Sequence, residues 1–133
     1  MAESQQKENF TASVLLVEDD TFLMELMGRK LRQFNLKVLI AINTNDAREV
    51  LEKEPVDVIL LDIVLPGKNG ITFLKELKED PKYKEIPVIM VSNLGQKEEI
   101  ERGMEAGAVH YLIKANSTTD DIVAKVLEVF NKK

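Results

Sequence analysis

Residues 56–70 read VDVILLDIVLPGKNG, in which an apolar run, an aspartate and a Pro-Gly pair follow one another. Almost every residue of 56–61 is apolar, as expected of a strand that helices cover on both faces. The Pro-Gly pair breaks the chain before a helical pattern begins at Gly70. We therefore predict a buried strand that ends at Asp62, followed by a loop and a helix.

The same alternation of strand and helix occurs five times along the chain. Apolar periodicity predicts strands at 14–17, 37–41, 56–61, 88–91 and 109–113, and helices at 22–31, 43–52, 70–77, 97–106 and 121–130. Short, continuously apolar strands between helices are typical of one parallel sheet with helices on both faces. We therefore predict an α/β, doubly wound (βα)5 fold with a five-stranded parallel sheet.

Local signals predict several helix ends and core positions. Asn35 is expected to end the first helix, Thr44 to cap the second, and Thr118 or Thr119 to cap the last. Four methionines are expected to face the core: Met24, Met27, Met90 and Met104.

The composition indicates a single folded domain. The chain has 133 residues, a formal net charge of -5, 44% hydrophobic residues and no cysteine. This length supports one sizeable core, which we assign to residues 12–133, with residues 1–11 as a flexible N-terminal tail. Without cysteine, disulfides, thiolate zinc sites and cysteine nucleophiles are excluded.

The sequence also bears on location and partners. The first dozen residues are polar, and no segment approaches ~18 consecutive apolar residues, so we expect a cytoplasmic protein that does not enter a membrane. Basic residues are scattered among acidic ones, whereas nucleic-acid binding needs a basic patch. We therefore expect no contact with nucleic acid.

Polar and charged side chains follow four of the five predicted strands. They are the carboxylates Glu18, Asp19 and Asp62, the hydroxyl of Ser92 and the ammonium of Lys114. The carboxyl ends of parallel strands share one crevice, where doubly wound folds bind ligands. Gathered carboxylates repel one another unless a cation neutralises them, and hard oxygen ligands suit Mg²⁺.

These groups match what phosphoryl transfer to a carboxylate requires. Asp62 can attack phosphorus as the nucleophile and form an acyl phosphate. The metal and Lys114 would offset charge on the phosphoryl oxygens, and Ser92 would donate a hydrogen bond to one of them.

Four motifs make residues 12–132 resemble the receiver domains of two-component response regulators. They are VLLVEDD (14–20), DIVLPGKNG (62–70), VSN (91–93) and YLIK (111–114), in the family's order and on the expected elements. The resemblance implies a flavodoxin-like sheet of order 2-1-3-4-5. It also implies that Asp62 is the phosphoacceptor.

The resemblance further implies a set of metal ligands. Asp19, Asp62 and the backbone carbonyl of Val64 would bind Mg²⁺ directly, and Glu18 would help through water. Asp20 would lie outside this set.

For the switch, the resemblance implies that Ser92 and Tyr111 move together on phosphorylation. The hydroxyl would turn toward the phosphoryl group and the aromatic ring would pack inward behind it. The face built by the fourth helix, fifth strand and fifth helix would then contact a downstream protein target that the sequence does not identify.

The phosphoryl donor would be a phosphohistidine of a sensor histidine kinase or a histidine phosphotransfer protein. Because the chain ends at Lys133 with no effector domain attached, we expect a stand-alone regulator of the chemotaxis type. It would be a switch rather than a turnover enzyme, although it would catalyse its own phosphorylation and slow autodephosphorylation.

Some positions depart from the family pattern. Ala115 stands where a proline in a cis peptide bond usually follows the lysine, and a cis bond before alanine costs about 2.5 to 4 kcal/mol. The loop after the fifth strand should therefore be strained or differently shaped.

Asn93 is larger than the usual small residue and could restrict access for small phosphodonors. Val64 and Leu94 are apolar, so they should slow attack of water on the acyl phosphate.

Two other classes of function stay open at this point. An aspartate-nucleophile phosphatase also forms an acyl phosphate, but it carries a second aspartate where this chain has Val64. A receiver-shaped docking module that never takes phosphate is the other alternative, motivated by Asn93 and Ala115.

Overall fold

The computed structural model describes residues 10–131. Its strands are β1 (Ala12–Val17), β2 (Leu36–Ala41), β3 (Val58–Leu61), β4 (Val88–Ser92) and β5 (His110–Ile113). Its helices are α1 (Thr21–Arg32), α2 (Thr44–Lys53), α3 (Gly70–Glu79), α4 (Lys97–Ala106) and α5 (Thr119–Asn131), and a 3-10 helix spans Lys114–Asn116. Most of the predicted tail, residues 1–9, lies outside the described residues.

The strands form one parallel sheet in the order β2-β1-β3-β4-β5. This confirms the predicted (βα)5 fold and its strand order. Within residues 10–131, no helix combines the length and the apolar character that crossing a membrane requires.

Each face of the sheet has its own core, which explains the continuously apolar strands. In β3, Ile59 and Leu61 point to the face covered by α2, α3 and α4, while Val58 and Leu60 point to the face covered by α1 and α5. All four side chains are fully buried. Burying a side chain of this size stabilises the fold by roughly 1.5–3 kcal/mol. The sheet is therefore a rigid base for the loops at its edges.

The predicted helix ends are partly right. Asn35 does not end α1 as predicted: the helix ends at Arg32, with Gln33 as its C-cap. Asn35 lies in the turn that follows and has a φ of 62°, a left-handed conformation that asparagine tolerates. Thr118 caps α5, because its Oγ1 accepts from the Asp121 N–H at 3.0 Å. The prediction for Thr44 is wrong: Asn43 caps α2 by accepting from the Asp46 N–H at 2.8 Å, and Thr44 is the first helical residue.

The methionine prediction is also partly wrong. Met24, Met27 and Met90 are buried, but Met104 is 43% exposed. The inward positions of α4 are occupied by the small residues Gly103 and Ala106, which leaves Met104 on the outer side.

Candidate functional site

The predicted site residues lie at the carboxyl ends of four strands. Val17 pairs with Leu61 in the sheet, so Glu18 and Asp62, the residues that follow, enter the crevice side by side. Backbone bonds continue this alignment: the Asp62 N–H donates to the Val17 carbonyl at 3.2 Å. Sheet register therefore brings together two carboxylates that are far apart in sequence.

One ammonium group joins these carboxylates. Lys114 Nζ lies 2.7 Å from Asp62 Oδ2 and 2.8 Å from Glu18 Oε1. Glu18 is 2% exposed and Asp62 is 6% exposed, so these are buried charges. Buried charges persist only when they are paired or bind a metal. The predicted grouping of Glu18, Asp62 and Lys114 is thus present as a compact charge cluster.

The cluster shifts the pKa of two of its members. Burial raises the pKa of Glu18, and the hydrogen bonds from Lys114 and the Asp20 amide offset only part of this rise. For Lys114, burial lowers the pKa, but hydrogen bonds to Asp62 and Glu18 outweigh it and raise the pKa. Lys114 therefore stays charged, while the ionised form of Glu18 is disfavoured relative to an exposed glutamate.

The donor set fits a hard cation. Glu18, Asp19 and Asp62 each offer a carboxylate oxygen, and these oxygens all lie within 4.8 Å of one another. Asp19 is exposed, whereas the other two carboxylates are buried, so the cluster opens to solvent on one side. Oxygen-only ligands with an open side suit Mg²⁺, which keeps several of its waters.

Asp20, which the resemblance leaves out of the metal ligands, caps a helix. Its Oδ1 accepts from the Leu23 N–H at 3.1 Å and caps α1. Its own N–H donates to Glu18 Oε2 at 3.0 Å. Asp20 therefore orients Glu18 and starts the helix, while its side chain is committed outside the carboxylate cluster.

The loop after β3 folds back over Asp62. The Val64 N–H donates to Asp62 Oδ1 at 3.3 Å, and the Gly70 N–H donates to the Ile63 carbonyl at 2.8 Å. A Cβ atom on Gly70 would lie 2.0 Å from the Asp62 carbonyl oxygen, so only glycine fits where α3 begins. The sequence placed Gly70 at the end of the DIVLPGKNG motif and at the start of the helix, and this close approach gives the physical reason for glycine there.

Ser92 and Tyr111 meet at one residue of the loop after β4. Ser92 Oγ accepts from the Leu94 N–H at 3.3 Å, and the Tyr111 hydroxyl donates to the Leu94 carbonyl. Burial, reinforced by the negative charge of Glu99, raises the pKa of Tyr111. The backbone of Leu94 thus links the two residues, a connection that sequence reasoning missed.

The segment after β5 forms a 3-10 helix and contains no cis peptide bond, so the second of the two predicted outcomes, a different shape, is the one observed. All peptide bonds across residues 10–131 are trans, including the one between Lys114 and Ala115. Lys114 instead opens the 3-10 helix, and its side chain still reaches Asp62.

Comparison with known proteins agrees with this geometry. A family model described as the response regulator receiver domain matches residues 14–127. The phosphate regulon transcriptional regulatory protein PhoB of Escherichia coli is 34% identical over 119 residues, which are 90% of this chain and 52% of PhoB. The transcriptional regulatory protein MalR of Bacillus subtilis is 41% identical over 105 residues, 77% of this chain and 43% of MalR.

Solved structures agree as well. The BeF3-activated N-terminal receiver domain of RstA from Klebsiella pneumoniae has a TM-score of 0.79 and 27% identity, covering 87% of this chain and 96% of that domain. The chain spans about half the length of the curated relatives named above.

Proposed function

Because the chain belongs to the response regulator receiver domain family of two-component signalling, we propose that it is a phosphorylation switch whose phosphoacceptor is Asp62. The observation that carries this proposal is the contact of Lys114 Nζ with Asp62 Oδ2 at 2.7 Å, beside the carboxylates of Glu18 and Asp19. A nucleophile, a fixed cation and a metal-ligating oxygen set then share one crevice. Receiver domains act as phosphoacceptors, which supports this cluster as the site of the reaction.

The reaction needs no general base. A carboxylate oxygen of Asp62 attacks the phosphorus of a phosphohistidine, the P–O bond forms, and the P–N bond breaks with its electrons leaving on the imidazole. Asp19, Asp62, the Val64 carbonyl and, through water, Glu18 would hold Mg²⁺, which would supply positive charge to the phosphoryl oxygens. Lys114 remains charged and within reach of the same oxygens, and it exchanges a carboxylate contact for a phosphoryl contact.

The signal leaves the site through Ser92 and Tyr111. When the Ser92 hydroxyl turns to donate to a phosphoryl oxygen, it releases the Leu94 N–H that it now accepts from at 3.3 Å. The Leu94 carbonyl accepts a hydrogen bond from the Tyr111 hydroxyl, so movement of the loop after β4 changes the orientation of the tyrosine ring. The new charge-assisted bond thereby shifts a two-state equilibrium of the α4-β5-α5 face.

The partners follow from this chemistry. The donor is the phosphohistidine of a sensor histidine kinase or a histidine phosphotransfer protein, and the output is a protein contact on the α4-β5-α5 face. PhoB and MalR are transcriptional regulatory proteins, an activity that belongs to those whole proteins. For this chain, with a net charge of -5, we propose protein contacts rather than nucleic-acid contacts.

Incubation with acetyl phosphate and Mg²⁺, followed by intact mass measurement, tests the proposal. We expect an acid-stable, alkali-labile gain of one phosphoryl group that Asp62→Asn loses. Asp57→Asn is the matched control, because Asp57 lies just before β3, where its carboxylate accepts from the Ser13 N–H at 2.8 Å. If wild type gains no phosphoryl group from acetyl phosphate or from a phosphohistidine donor, the docking-module alternative replaces the switch.

A further inference from the structure

Gly103 lies in the interior of α4 and faces the ring of Tyr111. A Cβ atom on Gly103 would lie 2.9 Å from Tyr111 Cδ2, 3.1 Å from Cε2 and 3.6 Å from Met90 Cγ. Carbon atoms pack at about 3.5–4.0 Å, so even a methyl group overlaps the ring edge. Glycine is disfavoured inside a helix by roughly 0.5–1 kcal/mol relative to alanine, and here its lack of a side chain makes room for the ring.

The tyrosine is held at both ends. Its ring edge fills the gap at Gly103, and its hydroxyl donates to the Leu94 carbonyl. The Leu94 N–H in turn donates to Ser92 Oγ. A continuous series of contacts therefore runs from Ser92 in the site, through Leu94 and Tyr111, to the middle of α4.

We propose that Gly103 is a positioning residue of the switch: the gap at its α-carbon admits the Tyr111 ring between α4 and the sheet, and so couples α4 to Ser92. This inference rests on the proposed function for its signalling role. The fit between Gly103 and Tyr111 is a separate claim about the unphosphorylated protein. The two claims can be measured independently.

The chain offers a matched control in Gly28. Gly28 is also a buried helical glycine, but a Cβ there would first meet Arg32 Nη1, the flexible end of a side chain, at 3.3 Å. Alanine at Gly28 therefore fits after a small movement of Arg32, whereas alanine at Gly103 must displace an aromatic ring. Equal effects of the two substitutions would indicate general helix packing instead of a fit to Tyr111.

Fluorine NMR of protein labelled with 3-fluorotyrosine measures the ring directly. The chain contains two tyrosines, so a Tyr83→Phe background leaves Tyr111 as the single reporter. Without any phosphoryl group, we expect Gly103→Ala to move the Tyr111 resonance toward its position in the urea-unfolded protein, and Gly28→Ala to leave it in place. An unchanged resonance in Gly103→Ala would overturn the proposal.

Addition of Mg²⁺ and beryllofluoride tests the coupling. We expect the wild-type Tyr111 resonance to change, and the same change in Gly103→Ala to be lost or to need about tenfold more beryllofluoride. Phosphorylation of Asp62, read by intact mass, should persist in Gly103→Ala. If wild type takes no phosphoryl group, the proposed function fails, while the resonance in the phosphate-free protein still decides the fit.

A double variant tests the proposal if Gly103→Ala alone does not fold. If Gly103→Ala does not fold, Gly103→Ala/Tyr111→Ala should fold, because the overlapping ring is gone. Failure of this double variant while Tyr111→Ala alone folds would place the clash elsewhere and overturn the proposal.

Discussion

Lys114 and Asp62 lie 52 positions apart in sequence and form a direct ion pair, with Nζ 2.7 Å from Oδ2. The side chains are 15% and 7% exposed, so water screens this pair only slightly. Because Glu18 Oε1 accepts from the same ammonium at 2.8 Å, one cation balances two buried carboxylates. The site therefore carries excess negative charge that a divalent cation would neutralise.

Removing the ammonium should destabilise the protein when no metal is present. Lys114→Met leaves Glu18 and Asp62 buried without a cation, and breaking a buried pair this way costs roughly 3–5 kcal/mol. Urea denaturation in EDTA measures the loss, and Mg²⁺ should recover part of it. Lys125→Met is the control, since the pair of Lys125 with Glu128 spans 3.6 Å and is exposed. A loss in Lys114→Met no larger than in this control would contradict the account.

Neutralising Glu18 should have the opposite effect on the metal-free protein. Burial raises the pKa of Glu18 above its ordinary value of 4.5, so its ionised form costs stability at neutral pH. Glu18→Gln should raise the free energy of unfolding in EDTA near neutral pH and weaken Mg²⁺ binding.

The stability gained by Glu18→Gln should depend on pH. As the pH falls through the raised pKa, wild-type Glu18 takes up a proton and the cost disappears. The advantage of Glu18→Gln should therefore shrink as the pH falls toward 4.5. A constant advantage across this range would show that the carboxylate charge is not its cause.

The apolar residues Val64 and Leu94 should prolong the phosphorylated state. Neither side chain can orient or activate water for attack on the acyl phosphate, and Val64 is 61% exposed at the crevice. Val64→Asn/Leu94→Glu should therefore lose its phosphoryl group faster than wild type in a dephosphorylation time course. Val109→Asn, at an exposed position before β5, is the control. Unchanged or slower decay in the double variant would refute this role.

A surface network ties the loop after Asp62 to two helices. Lys68 Nζ contacts both carboxylate oxygens of Glu76 at 2.8 Å, and Arg48 Nη2 contacts Glu76 Oε1 at 3.0 Å. The hydrogen bonds from Lys68, then from Arg48, lower the pKa of Glu76. Its stabilising contribution should be complete above 4.5 and lost as the pH falls through the lowered pKa.

Glu76→Gln should lower the free energy of unfolding by only about 0.5 kcal/mol at neutral pH, because the side chains of Glu76, Lys68 and Arg48 are partly exposed. High salt should reduce this cost. Glu54→Gln removes one exposed ion pair, that with Lys37, and should lower the free energy of unfolding by less than Glu76→Gln does. Urea denaturation at two salt concentrations compares the variants, and a salt-independent cost would speak against an ionic origin.

The fold and the members of the charge cluster could be predicted from the sequence for a physical reason. Continuously apolar strands indicate a covered parallel sheet, and parallel strands bring their carboxyl ends to one edge. Asp62 and Lys114 each follow a strand of this sheet, so the topology brings both residues to the same edge. No side-chain detail was needed for that step.

Other features depend on atomic packing that a residue pattern does not carry. Asn43 and Thr44 are both good capping residues, and only the backbone conformation selects Asn43. Met104 follows the helical apolar period, but α4 presents its small residues to the sheet. The fit of the Tyr111 ring at Gly103 requires a distance of a few ångströms between residues eight positions apart on different elements.

Chemical trapping of the phosphorylated residue is the most direct test of the central claim. Borohydride reduces an acyl phosphate of aspartate to homoserine, and tandem mass spectrometry then locates the modified position. After incubation with a phosphoryl donor and Mg²⁺, we predict homoserine at position 62 and none at Asp19 or Asp20. Homoserine at either of those positions, or at none in a protein that has gained a phosphoryl group, would contradict Asp62 as the phosphoacceptor.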